Sequence, residues 1–185
     1  RGLGDVYKRQ LDACNVESAA IAGLSLGGYM SLAFHLRAPG RCAALMLFDT
    51  GPGYKKDAGR EAWNRTAAQR AAALERDGLS ALGAGSEVRA AQHGSAQGLA
   101  HAARGMLAQV DDRVIRSLPA ITVPTLVLVG EADTPFRIPS DYMAAKIAGA
   151  RLEVIADAGH ASNIDQPESF NRAVCDFLGE LGDSP

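Results

Sequence analysis

The amino-acid sequence predicts an α/β protein in which a parallel sheet carries helices on both faces. The first observation is that short apolar runs of strand length alternate with segments whose apolar residues recur at helical spacing. The second is that residues 43–49 and 125–130 are apolar almost throughout, as in strands that are buried on both faces. The third is composition, because 185 residues, 47% of them hydrophobic and 22% charged, suit one globular domain.

Four strands and three helices are predicted in the two segments that form the sheet and its covering helices. The strands are predicted at 18–23 (SAAIAG), 43–49 (AALMLFD), 125–130 (TLVLVG) and 151–159 (RLEVIADAG). The helices are predicted at 26–36, at 140–147 and from Pro167 onward. For the last helix, Asp165 and Glu168 have the spacing of a capping box, and Pro167 suits its first turn.

Residues 51–117 differ in character from the rest of the chain. They are rich in Ala, Arg, Gln and Gly and contain no strand-like run, but apolar residues recur at helical spacing. One amphipathic helix is marked by Trp63, Ala67, Ala71 and Leu74, and another by Leu99, Ala103, Met106 and Val110. The sequence therefore predicts a helical insertion at 51–117 between two core segments, 11–50 and 118–185.

Residues 1–10 stand apart from the predicted strands and helices of the core. Residues 5–10 (DVYKRQ) fit no signal peptide and resemble the translation of the transposon end used in sequencing-library adapters. The alternative is an ordinary polar N-terminal segment. We expect residues 1–10 to be non-native.

Charge, hydropathy and cysteine usage exclude several classes of protein. The net charge of −2 comes with no basic stripe, which argues against a nucleic-acid partner, and no apolar run approaches the length of a membrane span. Cys14, Cys42 and Cys175 are odd in number and widely spaced, so they predict neither a metal site nor a disulfide framework. We therefore expect no metal, no membrane partner and a cytoplasmic location.

The stretch IAGLSLGGYM places one serine between glycines, at the point where a predicted strand turns into a predicted helix. Gly23, Ser25 and Gly27 form a G-x-S-x-G pattern, and this strand-to-helix context is typical of a nucleophile elbow. We expect side chains at both glycines to collide with the tight turn, and the N–H of Leu26 to donate to an oxyanion. A P-loop would need a lysine where Tyr29 stands. The alternative interpretation is a tight turn with an incidental serine.

A nucleophilic serine needs a base and an acid, and both have candidates just after predicted strands. In this architecture they follow in the order serine, acid, histidine, which favours Asp133 as acid and His160 as base. Asp49 is the rival acid, because it also ends a predicted strand. The remaining candidates are less suited by position; they are His35, His93, His101, Glu131 and Asp157.

These motifs resemble the α/β-hydrolase family, and most of all its 3-oxoadipate enol-lactonase-like esterases and cofactor-free, haloperoxidase-like members. The segments that carry the resemblance are IAGLSLGGYMSLAFHLRAP, LMLFDTGPG, VPTLVLVGEADTPF and ADAGHASNIDQPESFNRAVCDFL. The resemblance implies Ser25 as nucleophile, Asp133 as acid and His160 as base, with no cofactor and with 51–117 as a lid. A serine at position 25 argues against relatives that use a carboxylate nucleophile.

The resemblance covers 11–185 and implies that this is the C-terminal part of a family member. Family members carry earlier strands and an early loop that supplies the second oxyanion donor, and nothing before Ser18 matches them. We therefore expect an N-terminal part to be missing and the chain alone to be nearly inactive.

The activity implied by the resemblance is hydrolysis of a small ester or lactone through an acyl-enzyme. In the lid, Tyr54, Trp63 and Met106 are candidates for the substrate pocket, and ordinary packing is the alternative. Two further functions remain open. One is perhydrolase, haloperoxidase-type or carbon–carbon bond chemistry on the same triad, and the other is a non-catalytic receptor that retains the pocket.

Overall fold

The computed structural model describes residues 4–85, 88 and 91–182, with the side chains of residues 4–7 left undescribed. Residues 1–3 of the adapter-like segment, residues 86, 87, 89 and 90 of the predicted insertion and residues 183–185 lie outside this description. The chain forms two compact units. One comprises the residues up to Pro52 and those from Arg116 onward, and the other is Gly53–Ile115.

A four-stranded parallel sheet organises the first unit. Its strands are β1 (Ala19–Leu24), β2 (Cys42–Phe48), β3 (Thr125–Gly130) and β4 (Arg151–Ile155), in the spatial order β1-β2-β3-β4. The first three agree with the sequence prediction to within one residue. β4 ends four residues earlier than predicted, because the chain turns after Ile155 and the carbonyl of Ala158 accepts the N–H of Ala132.

Helices alternate with these strands and also form the second unit. In chain order, the α-helices with described bounds are α1 (Gly4–Ala13), α2 (Leu26–Arg37), α3 (Asp57–Asp77), α4 (Ala96–Gly105), α5 (Arg113–Ser117), α6 (Thr134–Lys146), α7 (Ser162–Asp165) and α8 (Pro167–Gly182). Helix α6 begins six residues before the predicted start, since Pro135 is compatible with a first helical turn and Pro139 inside the helix obscured the pattern. Among these helices, none has both the length and the apolar character required to cross a membrane.

Helix α1 covers much of the adapter-like segment 1–10. Arg41 binds the last turn of α1 and the residues after it: its guanidinium forms an ion pair with Asp12 at 2.6 Å and donates to the carbonyls of Val16 and Glu17. The segment is therefore helical from Gly4, while its origin as adapter sequence stays a prediction.

The strand register brings the carboxyl ends of the strands to one edge of the sheet. Leu24 lies opposite Phe48, Phe48 opposite Leu128, and Gly130 opposite Ile155. Alternate residues of β2 and β3 form a core with helix α8: Ala44, Met46, Phe48, Leu126, Leu128, Ile155, Ala158, Ala173 and Phe177. Every residue of β3 is buried, so both faces of the sheet are covered. The residues that follow the four strands therefore share one edge.

The second unit has a small core between α3 and α4, formed by Ala71, Leu74, Ala100 and Ala103. The prediction that the second amphipathic helix extends through Met106 to Val110 was wrong, because α4 ends at Gly105 and Val110 is 90% exposed. The residues that follow α4 are not helical, and side chains of α3 bind their backbone. Trp63 donates from Nε1 to the carbonyl of Leu107 at 2.7 Å, and the side chain of Asn64 forms two hydrogen bonds with the backbone of Gln109.

Candidate active site

Ser25 occupies the turn between β1 and α2 in a strained conformation. Its φ of 55° and ψ of −118° are unusual for a residue with a side chain. Its backbone is anchored to the end of β2, since its N–H donates to the carbonyl of Phe48 at 2.9 Å and its carbonyl accepts the Thr50 hydroxyl at 2.6 Å. The carbonyl also accepts the N–H of Gly28 at 3.0 Å.

Glycine is required at Gly23 and Gly28 rather than at both positions of the G-x-S-x-G pattern. A Cβ on Gly23 would lie 2.1 Å from the carbonyl carbon of Gly27, and a Cβ on Gly28 would lie 2.4 Å from Cγ2 of Thr50. A Cβ on Gly27 would meet no described atom within 4 Å outside its chain neighbours and the nearby backbone of its own helix. The prediction of a collision at Gly27 was therefore wrong, because the first turn of α2 leaves that side open.

These contacts predict a contrast among alanine variants of the elbow. Gly23→Ala and Gly28→Ala should each lower the free energy of unfolding by about 1–3 kcal/mol or more, because the contacted atoms are backbone or a short buried side chain. Gly27→Ala, the matched control, should be neutral or stabilising by up to about 1 kcal/mol, since alanine favours helix. Urea unfolding of the three variants measures this, and an equal loss at Gly27 would contradict it.

Three polar side chains from three strand ends form one hydrogen-bonded chain. His160 Nε2 lies 2.8 Å from Ser25 Oγ, and His160 Nδ1 lies 2.9 Å from Asp133 Oδ2. Asp133 is 4% exposed, whereas the His160 side chain is 32% exposed. The structure thus brings together the three residues that the sequence singled out, with the imidazole between the hydroxyl and the carboxylate.

The loops that carry Asp133 and His160 pack directly on one another. Asp133 follows β3 and donates its N–H to the carbonyl of Gly130 at 3.1 Å. A Cβ on Gly130 would lie 2.3 Å from the carbonyl oxygen of Gly159, so only glycine allows the histidine loop to approach. The N–H of Gly159 donates to Asp165 Oδ2 at 2.9 Å. Asp165 therefore binds the histidine loop, which differs from its predicted capping role.

Phe136 is a site residue that sequence reasoning missed. Its ring stacks on the His160 imidazole with 5.0 Å between centroids and 24° between planes. It lies in the first turn of α6, three residues after Asp133. The signal in the sequence was weak, since one aromatic residue near a strand end usually indicates packing.

Asp49, the rival acid, hydrogen-bonds to neighbours of the histidine loop rather than to the imidazole. It is fully buried, and its Oδ1 accepts the N–H of Gly130 at 2.8 Å. Its Oδ2 accepts the hydroxyl of Ser162 and, at 3.4 Å, the N–H of that residue. Burial raises the pKa of the Asp49 carboxyl above its ordinary value, although the hydrogen bonds oppose this; the nearby charge of Asp133 raises the pKa further.

The other histidines and carboxylates lie outside this hydrogen-bonded chain. His35 is buried in α2, where burial lowers its pKa, His93 is exposed, and His101 bonds to Gln97 in α4. Glu131 and Asp157 are exposed.

The three predicted pocket residues all belong to the second unit. Tyr54 and Met106 are 43% and 37% exposed, and the rings of Tyr54 and Trp63 lie 6.2 Å apart. Their role in binding substrate stays a prediction.

The fold and this edge of the sheet define the class of protein. The model of the alpha/beta hydrolase family matches residues 2–173, so the chain belongs to that family. It is 31% identical to 3-oxoadipate enol-lactonase 1 of Acinetobacter baylyi, in an alignment that covers 98% of this chain and 71% of the relative.

Solved structures agree with this assignment. A thermophilic esterase from Thermogutta terrifontis superposes with a TM-score of 0.79 at 27% identity, covering 96% of this chain and 71% of the esterase. MenH from S. aureus superposes with a TM-score of 0.85 over 98% of this chain and 75% of that structure. Its identity of 24% supports the shared fold alone.

Proposed function

We propose that this protein is a serine hydrolase that cleaves a small ester or lactone. The observation that carries the proposal is the continuous chain from Ser25 Oγ through both ring nitrogens of His160 to Asp133. The order of the three residues along the sequence is the one this fold uses for nucleophile, acid and base. The carboxylate accepts hydrogen bonds only, so it favours the tautomer in which Nδ1 carries the proton and Nε2 accepts the proton of Ser25.

In this mechanism Ser25 Oγ attacks the substrate carbonyl while His160 Nε2 takes the hydroxyl proton. The buried Asp133 holds the imidazole in place and stabilises the imidazolium, which then returns the proton to the leaving oxygen. In deacylation His160 Nε2 takes a proton from water while the water oxygen attacks the acyl carbon; the bond to Ser25 Oγ then breaks, His160 returns the proton to Oγ, and the carboxylic acid product leaves. Every proton moves between groups that lie within 3 Å in the resting geometry or enter with substrate and water.

The oxyanion formed by this attack is stabilised by the start of helix α2. Leu26 is the first residue of the helix, so its N–H has no acceptor one turn earlier within the helix and lies at the positive end of the helix dipole. The unusual ψ of −118° at Ser25 sets the direction of this N–H relative to the Ser25 side chain. We assign one oxyanion donor to Leu26.

The substrate class follows from the chemistry and from the named relatives. An activated serine with an oxyanion donor acts on carbonyl carbons bearing a leaving oxygen, which esters and lactones share. One relative is named an enol-lactonase and a structural neighbour an esterase, which supports the same class.

Ester turnover and active-site labelling test this proposal together. Because residues 1–185 alone are expected to be nearly inactive, the test uses a full-length protein in which residues 11–185 follow the N-terminal part that the family resemblance implies. This protein should hydrolyse p-nitrophenyl acetate or butyrate over many turnovers, and a fluorophosphonate probe should modify Ser25 and no other serine, as located by peptide mass spectrometry. Labelling without turnover on esters or lactones would indicate a receptor that retains the triad. Absence of both would overturn the proposal.

A further inference from the structure

Two consecutive residues after β2 contact all three segments that carry the proposed triad. The Thr50 hydroxyl donates to the carbonyl of Ser25 at 2.6 Å. The Asp49 carboxylate accepts the N–H of Gly130, which precedes Asp133 by three residues, at 2.8 Å. The same carboxylate accepts the hydroxyl of Ser162, two residues after His160.

β2 lies between β1 and β3 in the sheet, so the residues that follow it are close to the segments that follow both neighbours. β2 pairs with β1, which leads to Ser25, and with β3, which leads to Asp133, while β4 pairs with β3 on its far side. At Asp49 the backbone adopts a φ of 45°, a left-handed conformation that aspartate and asparagine tolerate better than most residues. Its N–H still donates to the carbonyl of Leu128 at 2.9 Å, so the turn stays attached to β3.

Packing alone does not account for an ionisable residue at this position. Asp49 is 0% exposed and Thr50 2% exposed, and burying a carboxylate costs free energy unless it is hydrogen-bonded. Ser162 is also fully buried, so without Asp49 its hydroxyl would lose this acceptor inside the protein. Each of these polar groups is satisfied by a contact that ties one strand end to another.

We propose that Asp49 and Thr50 form a positioning brace that holds the serine, acid and histidine segments in register for proton transfer. The proposal rests on the proposed function, because it assigns the brace to the Ser25–His160–Asp133 chain. The side chains of both residues form their hydrogen bonds with Ser25, Gly130 and Ser162 rather than with the imidazole, so both act through the triad and not on substrate.

A brace of this kind should affect the chemical step more than substrate binding. The two hydrogen bonds of the triad are 2.8 and 2.9 Å long, and a shift of about 1 Å in such a site can cost about a hundredfold in rate. We therefore expect losses in kcat and in the rate of fluorophosphonate labelling, with KM unchanged within about twofold.

The first comparison uses isosteric removal of one hydroxyl. Thr50→Val and Ser162→Ala should each lower kcat by about 10- to 100-fold. The matched control is Thr125→Val, because Thr125 is 1% exposed and donates to the carbonyl of Val123 at 2.9 Å, but lies at the opposite end of β3. Its kcat should stay within about twofold of the wild type.

The second comparison separates the shape of Asp49 from its charge. In Asp49→Asn the amide oxygen can accept the N–H of Gly130, and the amide nitrogen can donate to the Ser162 hydroxyl oxygen, which reverses that bond and gives up the 3.4 Å contact with the Ser162 N–H; kcat should therefore stay within about fivefold. Asp49→Gly removes the brace without straining the left-handed backbone, and its kcat should fall about as far as in Ser162→Ala. The double variant of Asp49→Gly with Ser162→Ala should lose less than the product of the single effects, because each substitution removes the same hydrogen bond between the Ser162 hydroxyl and the Asp49 carboxylate.

Thermal unfolding is measured on every variant, and kinetics are recorded well below the lowest midpoint. If Thr50→Val and Ser162→Ala lower the midpoint but leave kcat and labelling rate at the level of Thr125→Val, the brace is merely structural and the inference is overturned. If the wild type labels and hydrolyses normally but Asp49→Asn falls as far as Asp49→Gly, the shape argument fails. A wild type that neither labels nor hydrolyses would overturn the proposed function as well, which distinguishes the two failures.

Discussion

Replacing Ser25 with alanine is expected to lower ester hydrolysis about a thousandfold or more, and His160→Ala should have an effect of similar size. The reason is that in the proposed mechanism the hydroxyl and the imidazole act as one unit, through the 2.8 Å contact between Oγ and Nε2. The double variant should therefore be scarcely slower than either single variant. Steady-state hydrolysis of p-nitrophenyl esters by the full-length protein measures all three.

The controls are a buried serine and a histidine outside the site. Ser31 is 4% exposed in the same helix and donates to the carbonyl of Gly27, and His101 lies in α4. Ser31→Ala and His101→Ala should keep kcat within a few-fold of the wild type. Turnover by Ser25→Ala at the wild-type level would contradict the nucleophile assignment outright.

The strands could be predicted from sequence because their signals are local. The prediction for β3 matches its observed bounds, because an apolar run of strand length directly after a proline favours a strand that begins there. The start of α6 and the end of α4 could not be found in this way. Pro139 breaks the helical pattern at the start of α6. Helix α4 ends where Trp63 and Asn64 of α3 bind the backbone of the residues that follow α4. These are tertiary contacts that overrule helical spacing.

The candidate site also contains residues that can be predicted from local sequence and residues that cannot. Ser25, Asp133 and His160 each follow a recognisable strand, so the shared edge of a parallel sheet was enough to predict that they meet. Thr50, Ser162 and Phe136 carry no motif, and their contacts join residues far apart in the sequence. The need for glycine at position 28 likewise arises from a distant residue, because a side chain there would collide with Thr50. The sequence pattern instead predicts this need at Gly27.

The identity of the acid gives the second large expected effect. Asp133→Asn should lower kcat by about a thousand- to ten-thousandfold, because an amide can donate to Nδ1 of His160 and so favour the tautomer whose Nε2 cannot accept the proton of Ser25.

The same substitution at Asp49 is the matched comparison, since Asp49 is also buried at a strand end, and only a loss within about fivefold is expected there. Because the two aspartates lie close enough for their charges to interact, a general effect of removing negative charge would appear in both variants. The two values of kcat, measured with one p-nitrophenyl ester, therefore separate a specific contact with the imidazole from the electrostatics of the region. The reverse ranking would move the acid to Asp49, and small losses in both variants would contradict the triad itself.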